Sequence, residues 1–232
     1  MKSFYLGLPL ALCLAACSPS APPPKAVAAD CTIVIDPTAS FGAYTDPAFA
    51  KSLAAAVWKK LRDSDLRPGD SVVIRYLGRS GPRELMSERL TLDRTHSKRD
   101  VLNEVYRRIA NLPNRSDVGQ DTTNLLHVLQ NTDFGCHDGK GAVIVLTDGL
   151  PADKREFTNW RGLIAGTAKL PKPTHKAYAQ CAAVVMIGLG VQAEGLEPIP
   201  TNGIDNIEKE WRAFSVGSGL SDPSKFHAVR SL

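Results

Sequence analysis

Three oxygen-bearing side chains follow a short apolar run near residue 36. The run at residues 32–35 is rich in β-branched residues, which is typical of a strand buried in a parallel sheet. Asp36 comes directly after it, and Thr38 and Ser40 carry hydroxyls at the next alternate positions. One carboxylate and two hydroxyls are hard ligands, which suit Mg²⁺, Ca²⁺ or Mn²⁺ better than zinc or copper. The same residue types also cap ordinary turns, so this segment alone leaves both interpretations open.

Two later segments carry further oxygen ligands. Thr122 and Thr123 lie at the start of a predicted helix, and a second apolar run at residues 142–146 leads into Thr147 and Asp148. In open α/β sheets, ligands bind beyond the carboxyl ends of the parallel strands. Asp36 and Asp148 both follow such strands, so the sequence predicts that they share one site.

The three segments, in this order, resemble the von Willebrand factor type A domain with its metal-ion-dependent adhesion site. That family's pattern is Asp-x-Ser/Thr-x-Ser, then a lone Thr at a helix start, then Thr-Asp-Gly. The resemblance covers about residues 31–232, including the segment 211–214 in the last predicted helix. It implies that a cation, Mg²⁺ with Mn²⁺ or Ca²⁺ as alternatives, is held by five residues: Asp36, Thr38, Ser40, Thr123 and Asp148. It also implies an open coordination position that accepts a carboxylate from a protein partner.

Two positions depart from the family pattern. Thr38 replaces the commoner Ser, and residues 119–121 read Gly-Gln-Asp where paired glycines are usual. Asp121 either adds a charge at the rim of the site or caps the helix that follows. Thr122 is an alternative to Thr123 as the loop ligand. A family member that has the fold but binds no metal is the alternative for the whole site.

The elements that must position these residues alternate between strand and helix, which predicts a doubly wound α/β sheet with helices on both faces. The mostly parallel sheet has about six predicted strands, at residues 32–35, 71–77, 84–92, 142–146, 182–187 and 226–229. The polar alternation at 84–92 indicates an antiparallel edge strand. Helices are predicted from Pro47 to about residue 63, and at 98–112, from 123, at 159–169 and at 207–216.

The first residues have the pattern of an export signal. Lys2 precedes an apolar stretch at residues 4–16 that is too short to span a bilayer, and residues 14–17 (Leu-Ala-Ala-Cys) resemble a bacterial lipobox. The resemblance implies a signal peptide at 1–16, lipidation of Cys17, a Pro/Ala/Ser-rich tether at 17–30 and a domain at 31–232. Ser18 then favours an outer-membrane location in the cell envelope. An ordinary signal peptide cleaved near the same place is the alternative.

Three cysteines, Cys31, Cys136 and Cys181, fall within the predicted domain of an exported chain, where disulfides form. If the strand at 142–146 lies between the strands that Cys31 and Cys181 open, those two are about 9.6 Å apart. That distance exceeds disulfide reach, so Cys136 is expected to pair with Cys181 or with Cys31. A zinc site using His137 is the rival, although no paired C-x-x-C spacing supports it.

Composition and motifs favour a binding module over an enzyme. The formal net charge is +4, and no basic stripe with interleaved aromatics suggests nucleic acid as a partner. The chain has no H-E-x-x-H, G-x-S-x-G or P-loop motif. We therefore expect a non-enzymatic, lipid-anchored envelope module that engages a protein partner through a divalent cation. The alternative is a metal-independent structural or accessory subunit of an envelope assembly, such as a secretion or conjugation apparatus.

Overall fold

A computed structural model describes residues 28–77, 85–115, 125–151 and 157–230. These residues form a six-stranded sheet in the order β3-β2-β1-β4-β5-β6. The strands are β1 (Asp30–Ile35), β2 (Ser71–Leu77), β3 (Leu85–Thr91), β4 (Ala142–Leu146), β5 (Ala183–Ile187) and β6 (Phe226–Val229). β3 is an antiparallel edge strand, and the other neighbours pair in parallel. The predicted α/β fold class, including the antiparallel edge, is therefore confirmed.

Five α-helices accompany the sheet in the described part of the chain: α1 (Pro47–Arg62), α2 (Lys98–Ala110), α3 (Leu125–Asn131), α4 (Trp160–Ile164) and α5 (Thr201–Gly217). α1 begins as predicted, because the Asp46 carboxylate accepts hydrogen bonds from the amides of Ala48 and Phe49 at 2.7 and 3.1 Å. Ser97 and Asp100 form a reciprocal capping box that starts α2. Local sequence therefore fixes where these two helices begin.

Alternate residues of each central strand point into two separate cores. Ile33 and Ile35 pack with α1 and α2 on one face of the sheet, whereas Val34 packs with α3, α4 and α5 on the other. Because both faces are covered, the central strands read as continuous apolar runs in the sequence. Trp211 of α5 lies in the second core, the one that contains Val34.

Two predicted helix boundaries were wrong. α4 ends at Ile164 instead of continuing to residue 169, because the backbone turns at Gly166, which has φ 72°. α5 begins at Thr201, six residues before the predicted start at 207, with Pro200 at its N-cap. Gly203 lets this first turn approach α4 closely, since an added Cβ would lie 2.8 Å from a side-chain carbon of Ile164. The glycines and prolines of this segment therefore belong partly to the helix.

The parallel strands give the sheet two distinct ends. We call the end where β1 and β4 finish, marked by Asp36 and Asp148, the site end. We call the opposite end, where the chain enters β1 at Asp30, the entry end. Among the described helices, none is both long and apolar enough to cross a membrane.

Candidate metal centre

The two carboxylates predicted to share a site are brought together by the pairing of β1 with β4. This pairing aligns Ile35 with Leu146, and the amide of Asp36 donates to the carbonyl of Leu146 at 2.9 Å. Asp36 and Asp148 follow the two strands, and each residue is 0% exposed. Two carboxylates thus lie buried beside each other at the site end, in a medium where their mutual repulsion is strong.

Both oxygens of the Asp36 carboxylate accept hydrogen bonds from the chain. Oδ1 accepts from the amide of Thr38 at 3.0 Å, and Oδ2 accepts from the hydroxyl of Thr147 at 2.7 Å. Burial raises the pKa of Asp36, while the bonds from Thr147 and Thr38 act in the opposite direction. Asp36 is therefore held in one orientation.

Thr147 is a site residue that the sequence did not assign. Its hydroxyl donates to Asp36 and accepts from the amide of Gly149 at 2.9 Å, so it joins the ends of β1 and β4. The sequence feature that could have identified Thr147 is its position directly after the apolar strand β4. There its side chain faces the carboxylate of Asp36, which follows β1. Only the pairing of β1 with β4 identifies that neighbour.

Asp148 differs from Asp36 because one of its oxygens has no hydrogen-bond partner among the described residues. Oδ1 accepts from the amide of Leu150 at 2.9 Å, but buried Oδ2 makes no hydrogen bond to any described residue. Burial, followed by the charge of Asp36, raises the pKa of Asp148 to about 7, although the Leu150 amide and the nearby Ser40 hydroxyl favour the charged form. An unpaired buried carboxylate oxygen is costly, and a bound cation would offset that cost.

The two predicted hydroxyl ligands lie in the loop that follows β1. Thr38 is buried and Ser40 is half-buried, and the Ser40 hydroxyl donates to that of Thr38 at 3.3 Å. The loop is tied to the segment before α5, because the amide of Ala193 donates to the carbonyl of Ser40 at 2.7 Å. Gly42 makes room for this contact, since a Cβ there would lie 3.1 Å from Ala193.

The backbone around Asp148 is fixed by close packing on α5. The Trp211 indole N–H donates to the carbonyl of Gly149 at 2.8 Å. The amide of Gly190 donates to the backbone carbonyl of Asp148, also at 2.8 Å. Gly149 has φ 84°, and a Cβ at this position would lie 2.6 Å from a methyl carbon of Leu189. Glycine is therefore required directly after Asp148.

Four of the five predicted ligands are described, and the structure brings them together. Thr123 and its alternative Thr122 lie outside the described residues, as does Cys17. No group of three or more His, Cys, Asp or Glu side chains that could hold a metal occurs in the described ranges. The candidate site consists instead of two carboxylates and two hydroxyls. This oxygen-only set, with the unsatisfied Oδ2 of Asp148, fits a hard divalent cation.

The three described cysteines, Cys31, Cys136 and Cys181, lie at the entry end, away from this site. A disulfide joins Cys136 to Cys181, which is one of the two pairings that the sequence left open. Cys31 is free and buried in the core on the other face of the sheet, where burial raises the pKa of its thiol to about 12. β4 lies between β1 and β5, as the disulfide argument assumed.

Comparison with known proteins adds no relative. No protein-family model matches the chain, and no curated protein matches it with significant similarity. Functional inference therefore rests on the chemistry and geometry of the site.

Proposed function

We propose that this protein is a lipid-anchored binding module of the bacterial cell envelope that engages a protein partner through a divalent cation. In this proposal it is a non-enzymatic relative of the von Willebrand factor type A domains. The observation that carries the proposal is the buried Oδ2 of Asp148, which no described residue satisfies, beside the buried carboxylate of Asp36. A cation would neutralise both groups and give the unpaired oxygen a partner.

Each described ligand has a distinct part in this proposal. Asp36 and Asp148 supply the charge, while the hydroxyls of Thr38 and Ser40 supply neutral oxygens at the loop. Thr123 would add a third hydroxyl. Two carboxylates balance the divalent charge and leave no net negative charge, so a carboxylate on a partner could bind the ion at an open coordination position without net repulsion. Mg²⁺ is the proposed ion, with Mn²⁺ or Ca²⁺ as alternatives that the same oxygens accept.

The placement of the site supports the membrane-anchored part of the proposal. Asp30 begins β1 at the entry end, whereas Asp36 follows β1 at the site end. A tether from lipidated Cys17 would therefore join the domain at the end opposite the candidate metal site. A partner could then approach the site from the side away from the membrane.

One observation favours the alternative, a metal-independent structural subunit of an envelope assembly. Both oxygens of Asp36 are satisfied by Thr38 and Thr147 without an ion. The raised pKa of Asp148 also allows this carboxyl to be neutral in mildly acidic solution. The fold is therefore compatible with a site that serves only to join the strand ends.

Thermal unfolding of the chain from Ser18 onward, with Mg²⁺, Mn²⁺ or EDTA, decides between the two. The described strands, helices and cores all lie after Ser18, so this chain retains them. Ligand at about a hundredfold over its dissociation constant stabilises by about 2.7 kcal/mol. We expect either ion to raise the Tm of the parent chain. The rise should be absent in the Asp148→Asn variant and unchanged in the control variant Asp222→Asn, which is altered at the entry end. No rise in Tm with millimolar Mg²⁺ or Mn²⁺ would favour the metal-independent subunit.

A further inference from the structure

A long crossing from α4 to β5 carries an excess of positive charge. This segment, residues 165–182, which we call the basic crossing, contains Lys169, Lys172 and Lys176, and all three are exposed. No Asp or Glu occurs anywhere between residues 157 and 193. The lysines of the crossing therefore have no acidic partner within their own segment.

Hydrogen bonds fix the basic crossing against the rest of the domain. The amide of Thr174 donates to the side-chain carbonyl of Gln130 at 3.3 Å, and the amide of Tyr178 donates to the carbonyl of Ser218 at 2.9 Å. The ammonium of Lys176 donates to the carbonyl of Gly217 at 2.9 Å. Since it is tied to α3 and to the end of α5, the crossing holds its charges in a defined place.

That place adjoins the point at which the chain enters the domain. The amide of Asp30 donates to the carbonyl of Gly135 at 3.0 Å, and Cys136, the next residue, is bonded to Cys181 at the end of the crossing. Lys176, bonded to Gly217, and Lys172, next to Pro173 at the same glycine, therefore share the entry end with the start of β1. Lys169 lies nearer the middle of α5, since its neighbour Leu170 contacts Glu210. A lipid attached through the preceding residues would hold this end closest to the membrane.

Neighbouring acidic residues offset only part of this charge. Asp133 lines the same cleft as His175 and Lys176, while Glu210 accepts a hydrogen bond from the amide of Leu170 at 3.3 Å. Asp138 lies in a turn that also contains the exposed Lys140. Lys140, Lys169, Lys172 and Lys176 carry four positive charges against the three carboxylates of Asp133, Asp138 and Glu210, so these residues keep a net charge of +1.

We propose that the basic crossing is a membrane-facing surface that binds anionic phospholipid headgroups. The proposal rests on the lipid anchoring included in the proposed function, since the anchor brings the entry end to the bilayer. Each lysine near an anionic surface contributes about 1 kcal/mol, or roughly fivefold in binding, and salt screens the effect. Headgroup binding would orient the domain with Asp36 and Asp148 pointing away from the membrane.

The test is flotation of the chain from Ser18 onward with vesicles of phosphatidylcholine, with or without phosphatidylglycerol, at low salt in EDTA. This chain lacks Cys17 and EDTA removes divalent ions, so neither lipidation nor the metal site affects the result. The variant replaces Lys169, Lys172 and Lys176 by Ser. The control removes the same charge from exposed positions away from the entry end, by changing Lys51 in the first turns of α1, Arg107 in the last turn of α2 and Arg161 in α4 to Ser.

We expect binding only when phosphatidylglycerol is present, with a loss on the order of a hundredfold in the crossing variant. The control should retain the affinity of the parent chain. A second variant, Lys169→Ser with Lys172→Ser, keeps the Lys176 bond to Gly217 and should lose roughly 25-fold. Equal losses in the crossing variant and control, or no phosphatidylglycerol-dependent binding of the parent, would overturn the proposal. Lipidation of Cys17 is tested independently of this experiment, by the mass of the mature N-terminus.

Discussion

The hydroxyl of Thr147 donates to Oδ2 of Asp36 across 2.7 Å, and this bond joins the ends of the two central strands inside the core. Together with the Thr38 amide it gives each oxygen of Asp36 a hydrogen bond. Asp148, the residue after Thr147, keeps one oxygen that no described residue satisfies. The two carboxylates of the candidate centre are therefore not equivalent. Asp36 is positioned by the chain, and Asp148 is the group that a ligand would satisfy.

Thr147→Val should destabilise the domain. The change removes the donor to a buried carboxylate while nearly preserving shape, which costs about 1–3 kcal/mol. Urea unfolding at neutral pH in EDTA measures the difference in unfolding free energy. Thr147→Ser, which keeps the hydroxyl, is the matched control and should lose less. A Val variant as stable as the parent would contradict the role assigned to this bond.

Stability without metal should fall as the pH rises from about 4 to about 7. The pKa of Asp148 is raised from 3.8 to about 7 in the folded state, so there its carboxyl keeps a proton that the unfolded chain has already lost. Deprotonation at higher pH therefore weakens folding, on the order of a few kcal/mol over this range. Urea unfolding in EDTA at several pH values measures the slope.

Asp148→Asn should flatten this pH dependence, because the amide does not titrate. Asp222→Asn is the control, since the amide of Ser224 lowers the pKa of Asp222 and keeps it charged over the whole range. Saturating Mg²⁺ should reverse the trend in the parent chain, as the cation favours the ionised carboxylates. The same slope in the Asp148→Asn variant and the parent chain would show that another group is responsible.

Gly149→Ala should destabilise the domain and weaken the response to Mg²⁺. The residue has φ 84°, and the added Cβ would meet Leu189 at 2.6 Å and Ile207 at 2.7 Å. Overpacking of this kind costs about 1–3 kcal/mol, in addition to backbone strain. Gly139→Ala is the control, with φ 70° and nothing within 4 Å of its Cβ. Melting temperatures with and without Mg²⁺ measure both effects, and equal losses in the two variants would indicate strain alone.

Cys31 should be unreactive in the native protein. Its thiol is buried, and burial, followed by the charge of Asp30, raises its pKa to about 12, so little reactive thiolate forms. A chromogenic thiol reagent added to the chain from Ser18 onward should detect no thiol until denaturant is added, and then one per chain. The Cys31→Ala variant should give none. Rapid labelling of the native chain would contradict the described burial.

The fold class followed from local patterns. Apolar strands alternating with amphipathic helices predict a doubly wound sheet, because strands buried on both faces must be apolar throughout. The rule that ligands bind at the carboxyl ends of parallel strands then predicts that Asp36 and Asp148 lie together. The end of α4 at Ile164 and the start of α5 at Thr201 were not predicted. Glycine and proline in a sequence indicate a break in a helix unless their packing partners are known.

The sequence by itself determined the fold class, the strands and the shared location of Asp36 and Asp148, because these depend on hydrophobic periodicity and on where strands end. Only the tertiary structure decided which contacts these residues make. The Thr147 bond, the unpaired oxygen of Asp148 and the pairing of Cys136 with Cys181 depend on strand order and on the sheet face each side chain occupies. Those features arise between residues far apart in the chain, and local sequence does not encode their distances.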